Sequence, residues 1–483
     1  MSSYKTEPRP YQRLVVDKTY KMPALALFLK QGLGKSKVTL DTAAHLFAEG
    51  EIECLIVMSK TSVVENWFLE EVPLHLGVAH ESYLYSTKRK NKIPPPGRMP
   101  QGVLKVIMIN DGCSRTVHGF KFLSDLVAKY QCMIAVDEST LIKNPTATIT
   151  KRMLKLAEKC KYRRVLCGEP APQGPVDYYS QYKFLDPKIL NVGTYTAYKS
   201  MFCEQEPIWI NGRQILRPTG GFTMTGKEAF EAAVKPFTIR LRKEDVLDDL
   251  PEKQYVTRRF YLPDDVQRMY DKLANDFMTE LVIAEGAGTL TATLAISRAT
   301  RLHQIVAGHA PNDDQTVFTF DSGKYSVLQD ILDERPEGSK TIIWAHYRAT
   351  IDDLTERLEK DYGPGCVARI YGGITENDRQ DAVKRFKTRP NCRFLVANPA
   401  SAGWGLTFVE ADACVYYSNS YNWEHRDQSE DRIHRIGQKN AVTYYDIVAQ
   451  GTVEEKIMEV LGRKGDFSKS VLTNYSEWFA RKR

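Results

Sequence analysis

Residues 24–36 read Ala-Leu-Ala-Leu-Phe-Leu-Lys-Gln-Gly-Leu-Gly-Lys-Ser. The apolar run Ala24 to Leu29 has the length of a buried strand, and Gly32 and Gly34 then break the chain into a tight turn. From Lys35 to Glu49 the apolar residues Val38, Leu40, Ala43, Ala44, Leu46 and Phe47 fit a helix. Working outward, Cys54 to Met58, Leu104 to Ile109, Cys132 to Val136 and Arg164 to Cys167 repeat the short apolar run, with helical stretches between several of them. Continuous apolar strands alternating with helices predict a parallel sheet covered on both faces.

The alternation stops at 191–235, where Ile208-Trp209-Ile210 and Gln214-Ile215-Leu216 flank Asn211-Gly212 as a hairpin would. Residues 264–308 are mostly helical in pattern. From 340 the alternation restarts with Thr341 to Ala345, Val367 to Tyr371, Phe394 to Ala397, Ala413 to Tyr417 and Val442 to Val448. The expectation is an α/β protein of two tandem lobes, 1–245 and 246–483, with a hairpin insertion at about 191–235 and a helical one at about 264–320. A cleft is expected where they meet, since ligands in such sheets bind at the carboxyl ends of the strands.

The 483 residues are 42% hydrophobic and 26% charged, which excludes a wholly disordered chain. No run approaches the roughly 18 apolar residues of a membrane span. The N-terminus is polar, so a soluble, unsecreted protein is expected. Nine cysteines without a C-x-x-C pair give no support to a zinc or dithiol motif and fit a reducing compartment. The net charge of +7 permits a nucleic-acid partner without requiring one. Basic clusters stand at Lys88-Arg89-Lys90, Arg240 to Lys243 and Arg463-Lys464, and each alone fits a solvated face as well.

Three stretches carry chemistry. In Gln31-Gly32-Leu33-Gly34-Lys35-Ser36, glycines let backbone N–H groups turn toward phosphates, Lys35 supplies positive charge, and the Ser36 hydroxyl can bind Mg²⁺. The strict phosphate-loop pattern fails, because Leu29 occupies its first glycine position. In Ile134-Ala135-Val136-Asp137-Glu138 a strand delivers two acids at its carboxyl end, Asp137 to hold Mg²⁺ and Glu138 to polarise a water. In Gln428 to Gln438, Arg432 and Arg435 are three apart and would share one face of a helix, able to grip a phosphate. A salt bridge to Glu430 or Asp431 is the other use open to them.

Together these stretches resemble the Swi/Snf-type family of helicase superfamily two, and the likeness runs nearly end to end. Arg9-Pro10-Tyr11-Gln12 resembles the motif that sets a glutamine against adenine, and Gly32 to Ser36, including Leu33, resembles motif I. Ser62 to Trp67 resembles motif Ia, Asp137-Glu138 with Ile142 to Pro145 motif II, and Gly168-Glu169-Pro170 motif III. Leu241 to Val246 with Leu250-Pro251 is similar to the inter-lobe signature, Ser401 to Leu406 to motif V, and Gln428 to Gln438 to motif VI.

The resemblance implies two RecA-like lobes with ATP and Mg²⁺ between them, and a DNA-dependent ATPase that moves along or remodels double-stranded or branched DNA. Implied nucleotide contacts are Arg9, Gln12, Gly32, Leu33, Gly34, Lys35, Ser36, Gly168, Glu169, Gly403, Gly405 and Gln428. Implied contacts to the DNA backbone are Lys60, Thr61, Ser62, Lys143, Asn144, Tyr347, Trp404 and Trp423, each equally open to a packing role. Three departures stand out: Lys60 replaces a frequent proline, Trp404 a small residue, and Glu169 the usual threonine or serine. A carboxylate at 169 is expected near Asp137 and Glu138. The plain architecture suggests a monomeric phage or bacterial enzyme of the cytoplasm, with DNA repair or recombination as its setting. An RNA helicase of the same superfamily and a degenerate DNA-binding clamp are the competing readings.

Overall fold

A computed structural model describes residues 4–86, 93–210, 213–247, 250–286, 292–311, 317–402 and 406–462. Lys88-Arg89-Lys90, Asn211-Gly212, Gly403-Trp404-Gly405 and Arg463-Lys464 lie outside the described residues. The chain divides into two compact units, Met1–Asp248 and Asp249–Arg483.

The first unit holds β1 (Ala24–Leu29), β2 (Cys54–Ser59), β3 (His80–Tyr85), β4 (Leu104–Asn110), β5 (Cys132–Asp137), β6 (Tyr162–Leu166), the hairpin β7 (Cys203–Ile210) and β8 (Arg213–Phe222), and β9 (Thr238–Leu241). Seven of these form one parallel sheet in the order β3-β4-β2-β5-β6-β1-β9. Strands β1, β2 and β5 are buried along their whole length, which is why their sequences are unbroken apolar runs. Helices between the strands cover the sheet, and Phe28, Ile56, Ile107, Ile134, Val136 and Phe184 belong to its core.

The second unit holds β10 (Lys253–Phe260), the short pair β11 (His309–Pro311) and β12 (Val317–Thr319), then β13 (Thr341–Trp344), β14 (Val367–Ile370), β15 (Phe394–Ala397), β16 (Ala413–Tyr416) and β17 (Val442–Ala449). Its sheet is again parallel, ordered β10-β17-β16-β13-β15-β14. The helices Asp264–Gly286 and Ala292–Val306 pack with Val453–Gly462 into a helical subcore around Tyr270, Leu302 and Ile457. The α/β class and the two parallel sheets agree with the sequence pattern. Among the described residues no helix is long and apolar enough to cross a membrane.

Candidate functional site

At the carboxyl end of β1 the chain turns tightly, with the Leu33 N–H bonded to the Lys30 carbonyl at 3.2 Å. Gly34 then starts the helix Lys35–Ala48 without a side-chain cap, so first-turn N–H groups face an incoming anion. The Lys35 ammonium reaches back to the Leu29 carbonyl at 3.2 Å, over the strand end.

Gln12 is wired to this loop. Its amide nitrogen donates to the Leu33 carbonyl at 3.1 Å, and its amide oxygen accepts the Arg9 N–H at 3.0 Å. The Tyr11 hydroxyl donates to the same Leu33 carbonyl at 3.1 Å. Gly34 has a φ of +76°, and a Cβ there would fall 2.3 Å from the Gln12 amide nitrogen. Only glycine suits both the backbone and the space.

Because β5, β6 and β1 are consecutive in a parallel sheet, Asp137, Gly168 and the glycine loop share one edge. A Cβ on Gly168 would meet Gln31 at 3.3 Å, so this glycine permits close packing against the loop. Asp137 is fixed at both oxygens: Oδ2 accepts the Trp67 indole N–H at 2.9 Å, and Oδ1 accepts the Glu138 N–H at 3.0 Å. The Ser59 hydroxyl donates to the Asp137 carbonyl at 2.8 Å. Glu138 lies in the left-handed region with φ 55° and ψ 61°, a conformation costly for a residue with a Cβ and concentrated at functional sites. Cys167, 3.9 Å from a Glu138 carboxylate oxygen, is a thiol pushed up by burial and further by that charge.

Asp137 and Ser36 offer the hard oxygen ligands that Mg²⁺ takes beside substrate phosphates and water. Among the described residues no group of three or more acidic, His or Cys side chains is poised to hold a metal.

The remaining residues singled out in the first unit are dispersed. Lys60 precedes the short helix Thr61–Asn66, whose first residue is exposed; the Ser62 side chain is outside the described set. Lys143 pairs with Asp177 at 3.3 Å, while the Asn144 side chain closes a local turn onto Thr146. Glu169 is exposed. Burial draws the Arg240 guanidinium down, but the Tyr178 hydroxyl at 2.8 Å and the Glu169 carboxylate raise it on balance.

In the second unit the helix Trp423–Glu430 stops before the arginines. The expected shared helical face of Arg432 and Arg435 is therefore corrected: both sit on the turns that follow. Local bonding carries past its end, since the Glu430 carbonyl takes the His434 N–H at 3.1 Å besides the Tyr444 hydroxyl at 3.0 Å, but the Arg432 carbonyl turns to the Phe408 N–H at 2.9 Å. The arginines are nevertheless brought together on one segment. Arg432 donates to the Leu406 carbonyl at 3.2 Å, and Arg435 to the Thr407 hydroxyl at 2.6 Å. Glu430 instead takes Arg426 at 2.9 Å, Lys253 at 3.0 Å and Tyr255 at 2.7 Å. The Gln428 side-chain oxygen is buried with no hydrogen-bond partner among the described residues.

Tyr347 turns inward, its hydroxyl 3.0 Å from His303 Nδ1 and 2.9 Å from the Tyr421 hydroxyl. Trp423 packs against the helical subcore. Sequence reasoning placed Trp67 in the motif Ia stretch but gave its side chain no role; its signal was an indole N–H, which when buried needs an acceptor.

Residues 18–307 match the model of the SNF2-related domain. The chain belongs to the SNF2-related family. Residues 323–437 of this SNF2-related chain also match the helicase conserved C-terminal domain. Similar proteins include an uncharacterized ATP-dependent helicase of Mycoplasma genitalium, 24% identical over 72% of this chain and 31% of the relative. The DNA annealing helicase and endonuclease ZRANB3 of Mus musculus is 24% identical over 93% of this chain and 39% of its own length. The TATA-binding protein-associated factor MOT1 of Saccharomyces cerevisiae is 26% identical over 71% of this chain and 20% of its own. The SNF2-related chain thus spans only a fifth to two fifths of these relatives' length. A solved Sulfolobus solfataricus SWI2/SNF2 ATPase core in complex with dsDNA aligns over 99% of this chain and 95% of its own, with 24% identity and a TM-score of 0.44.

Proposed function

We propose that this SNF2-related chain is a DNA-dependent ATPase, a motor that hydrolyses ATP to move along or remodel double-stranded or branched DNA. The observation that carries the reading is the single sheet edge on which the glycine loop, Gly168 and the acid pair converge, with Glu138 held in a strained backbone beside an oriented Asp137. Phosphates lie on the helix N-terminus with Lys35 as counter-charge. Gln12, with Arg9, reads the nucleotide's base from a position fixed by the loop itself. Glu138 orients the attacking water and accepts its proton. Ser36 and Asp137 hold Mg²⁺, which when bound neutralises phosphate charge. Arg432 and Arg435 supply positive charge to the transferred phosphate, and Gln428, Gly403 and Gly405 are its further contacts.

DNA is held by its phosphates, which position a protein without reading sequence. Lys60, Thr61, Ser62, Lys143 and Asn144 serve this on the first unit, and Trp404 on the second. Tyr347 and Trp423 are the further candidates on the second unit.

ATP turnover measured with duplex DNA, single-stranded DNA and RNA tests the reading. Stimulation by duplex, lost in Lys35→Ala and Glu138→Gln, is expected. Stimulation by RNA alone would replace the DNA motor with an RNA helicase. Absence of turnover with every polymer would leave a clamp.

A further inference from the structure

The outer part of one face of the hairpin β7–β8 is exposed. Its register sets Trp209 opposite Gln214 and Pro207 opposite Leu216, and the two-residue period of a strand puts all four on the same side. Trp209 is 72% exposed and Leu216 57%. The ion pair of Glu206 and Arg217 lies on the other side, with Ile208 and Ile215. An isolated two-stranded hairpin is marginal in water. This one is anchored at its root, where Phe202 and Cys203 are buried and the Phe222 ring lies 5.0 Å from Phe230. Such exposure of apolar surface marks a binding face.

The root shows what passes by. Gly174 and Gly220 both have positive φ, and a Cβ on Gly174 would lie 2.3 Å from the Gly220 carbonyl oxygen, so the two backbones touch. The same loop holds Lys143: Asp177 Oδ2 accepts the Lys143 ammonium at 3.3 Å and the Gln173 N–H at 2.9 Å. The hairpin therefore packs at its root against the loop that holds a residue assigned above to the DNA backbone. Its open face carries no charge to hold a phosphate. An indole flanked by proline, leucine and an amide suits the flat face of a nucleobase. Bases inside a duplex hide their faces from such a surface; unpaired ones at a branch do not.

We propose that the Trp209 face of the hairpin stacks on an unpaired base where duplex DNA forks. This rests on the DNA-motor reading and names the substrate feature that it selects.

The full chain is assayed for ATP turnover on a forked duplex and on covalently closed circular duplex, which has no fork. Trp209→Ala is expected to raise the half-saturating concentration of fork about tenfold, the worth of one stacked base, with circular duplex within about twofold of wild type. Trp209→Phe is expected to recover most of the loss. A 2-aminopurine at the fork should be quenched by wild type and not by Trp209→Ala. Unchanged fork half-saturation in Trp209→Ala, or equal loss on both DNAs, would overturn the proposal and assign the face to a protein partner or to packing. If neither DNA stimulates wild-type turnover, the motor reading fails and takes this inference with it. Circular-duplex stimulation without fork preference in wild type sinks the inference alone.

Discussion

The indole N–H of Trp67 donates to Oδ2 of Asp137 at 2.9 Å, joining residues 70 apart in the chain. Trp67 is 1% exposed and Asp137 5%, so the bond is made where a lost partner is not replaced by water. With the Glu138 N–H on the other oxygen, the carboxylate has one favoured orientation. Trp67→Phe keeps the ring and removes the donor. Turnover should drop about tenfold, as for other residues that orient a metal-binding side chain. Stability should fall by about 1–3 kcal/mol. Steady-state kinetics over a Mg²⁺ titration, with denaturant unfolding, measures both. Wild-type turnover in a folded variant would show that the bond does not orient Asp137.

Gly34→Ala meets two obstacles, a left-handed backbone and the Gln12 amide. The backbone alone costs about 1–2 kcal/mol. Relief requires Gln12 to leave the Leu33 carbonyl. Weaker binding of a fluorescent ATP analogue is therefore expected together with a lower melting temperature. Unchanged affinity would mean that Gln12 plays no part in holding the nucleotide.

Arg435 depends on Thr407 for its place. Arg435→Ala should lower single-turnover hydrolysis by about a thousandfold or more while ATP binding changes little. Arg435→Lys should not restore it, since an ammonium lacks the planar fork. Thr407→Val keeps the arginine but removes this bond, and should fall between wild type and Arg435→Ala. Parallel losses in binding and hydrolysis would place Arg435 in ground-state binding instead.

His309, 3% exposed, is drawn down to about 4 by burial and then by the neighbouring His303. His346 is drawn down to about 4 chiefly by burial. Between their ordinary range near 6.5 and about 4, the unfolded chain binds protons that the folded chain refuses. Stability therefore rises with pH through this window and is lost on acidification, by about 1.4 kcal/mol per pH unit for a fully buried histidine. Thermal melts from pH 7 to 4.5 should show this slope, flattened in His309→Gln. Parallel slopes in the two proteins would exclude His309 as its source.

The apolar runs marked the interior strands of both sheets and the edge strand β14, and they missed β3, β9 and β10. All three are sheet edges. In β10, exposed and half-buried positions mix along the strand, so no unbroken apolar run forms. The hairpin was legible from its flanks, with Trp209 opposite Gln214, although Asn211-Gly212 lies outside the described residues. A spacing of three between Arg432 and Arg435 was read as helical. Spacing reports a helix only where the backbone ladder continues, and here the Arg432 carbonyl goes to the Phe408 N–H instead of to the chain ahead of it.

Residue type and order were set by the sequence alone: a strand that runs into glycines and a lysine, acids at the end of another strand, and a late pair of arginines. Those are local facts, since an apolar run and a glycine turn are read from neighbours within a few residues. Only the folded chain decided that Trp67 aims Asp137, that Gln12 leans on Leu33, and that Arg432 and Arg435 both reach the 406–407 segment. These bonds join parts of the chain 21 to 70 residues apart, and their geometry comes from strand order and packing, which no periodicity along the chain records.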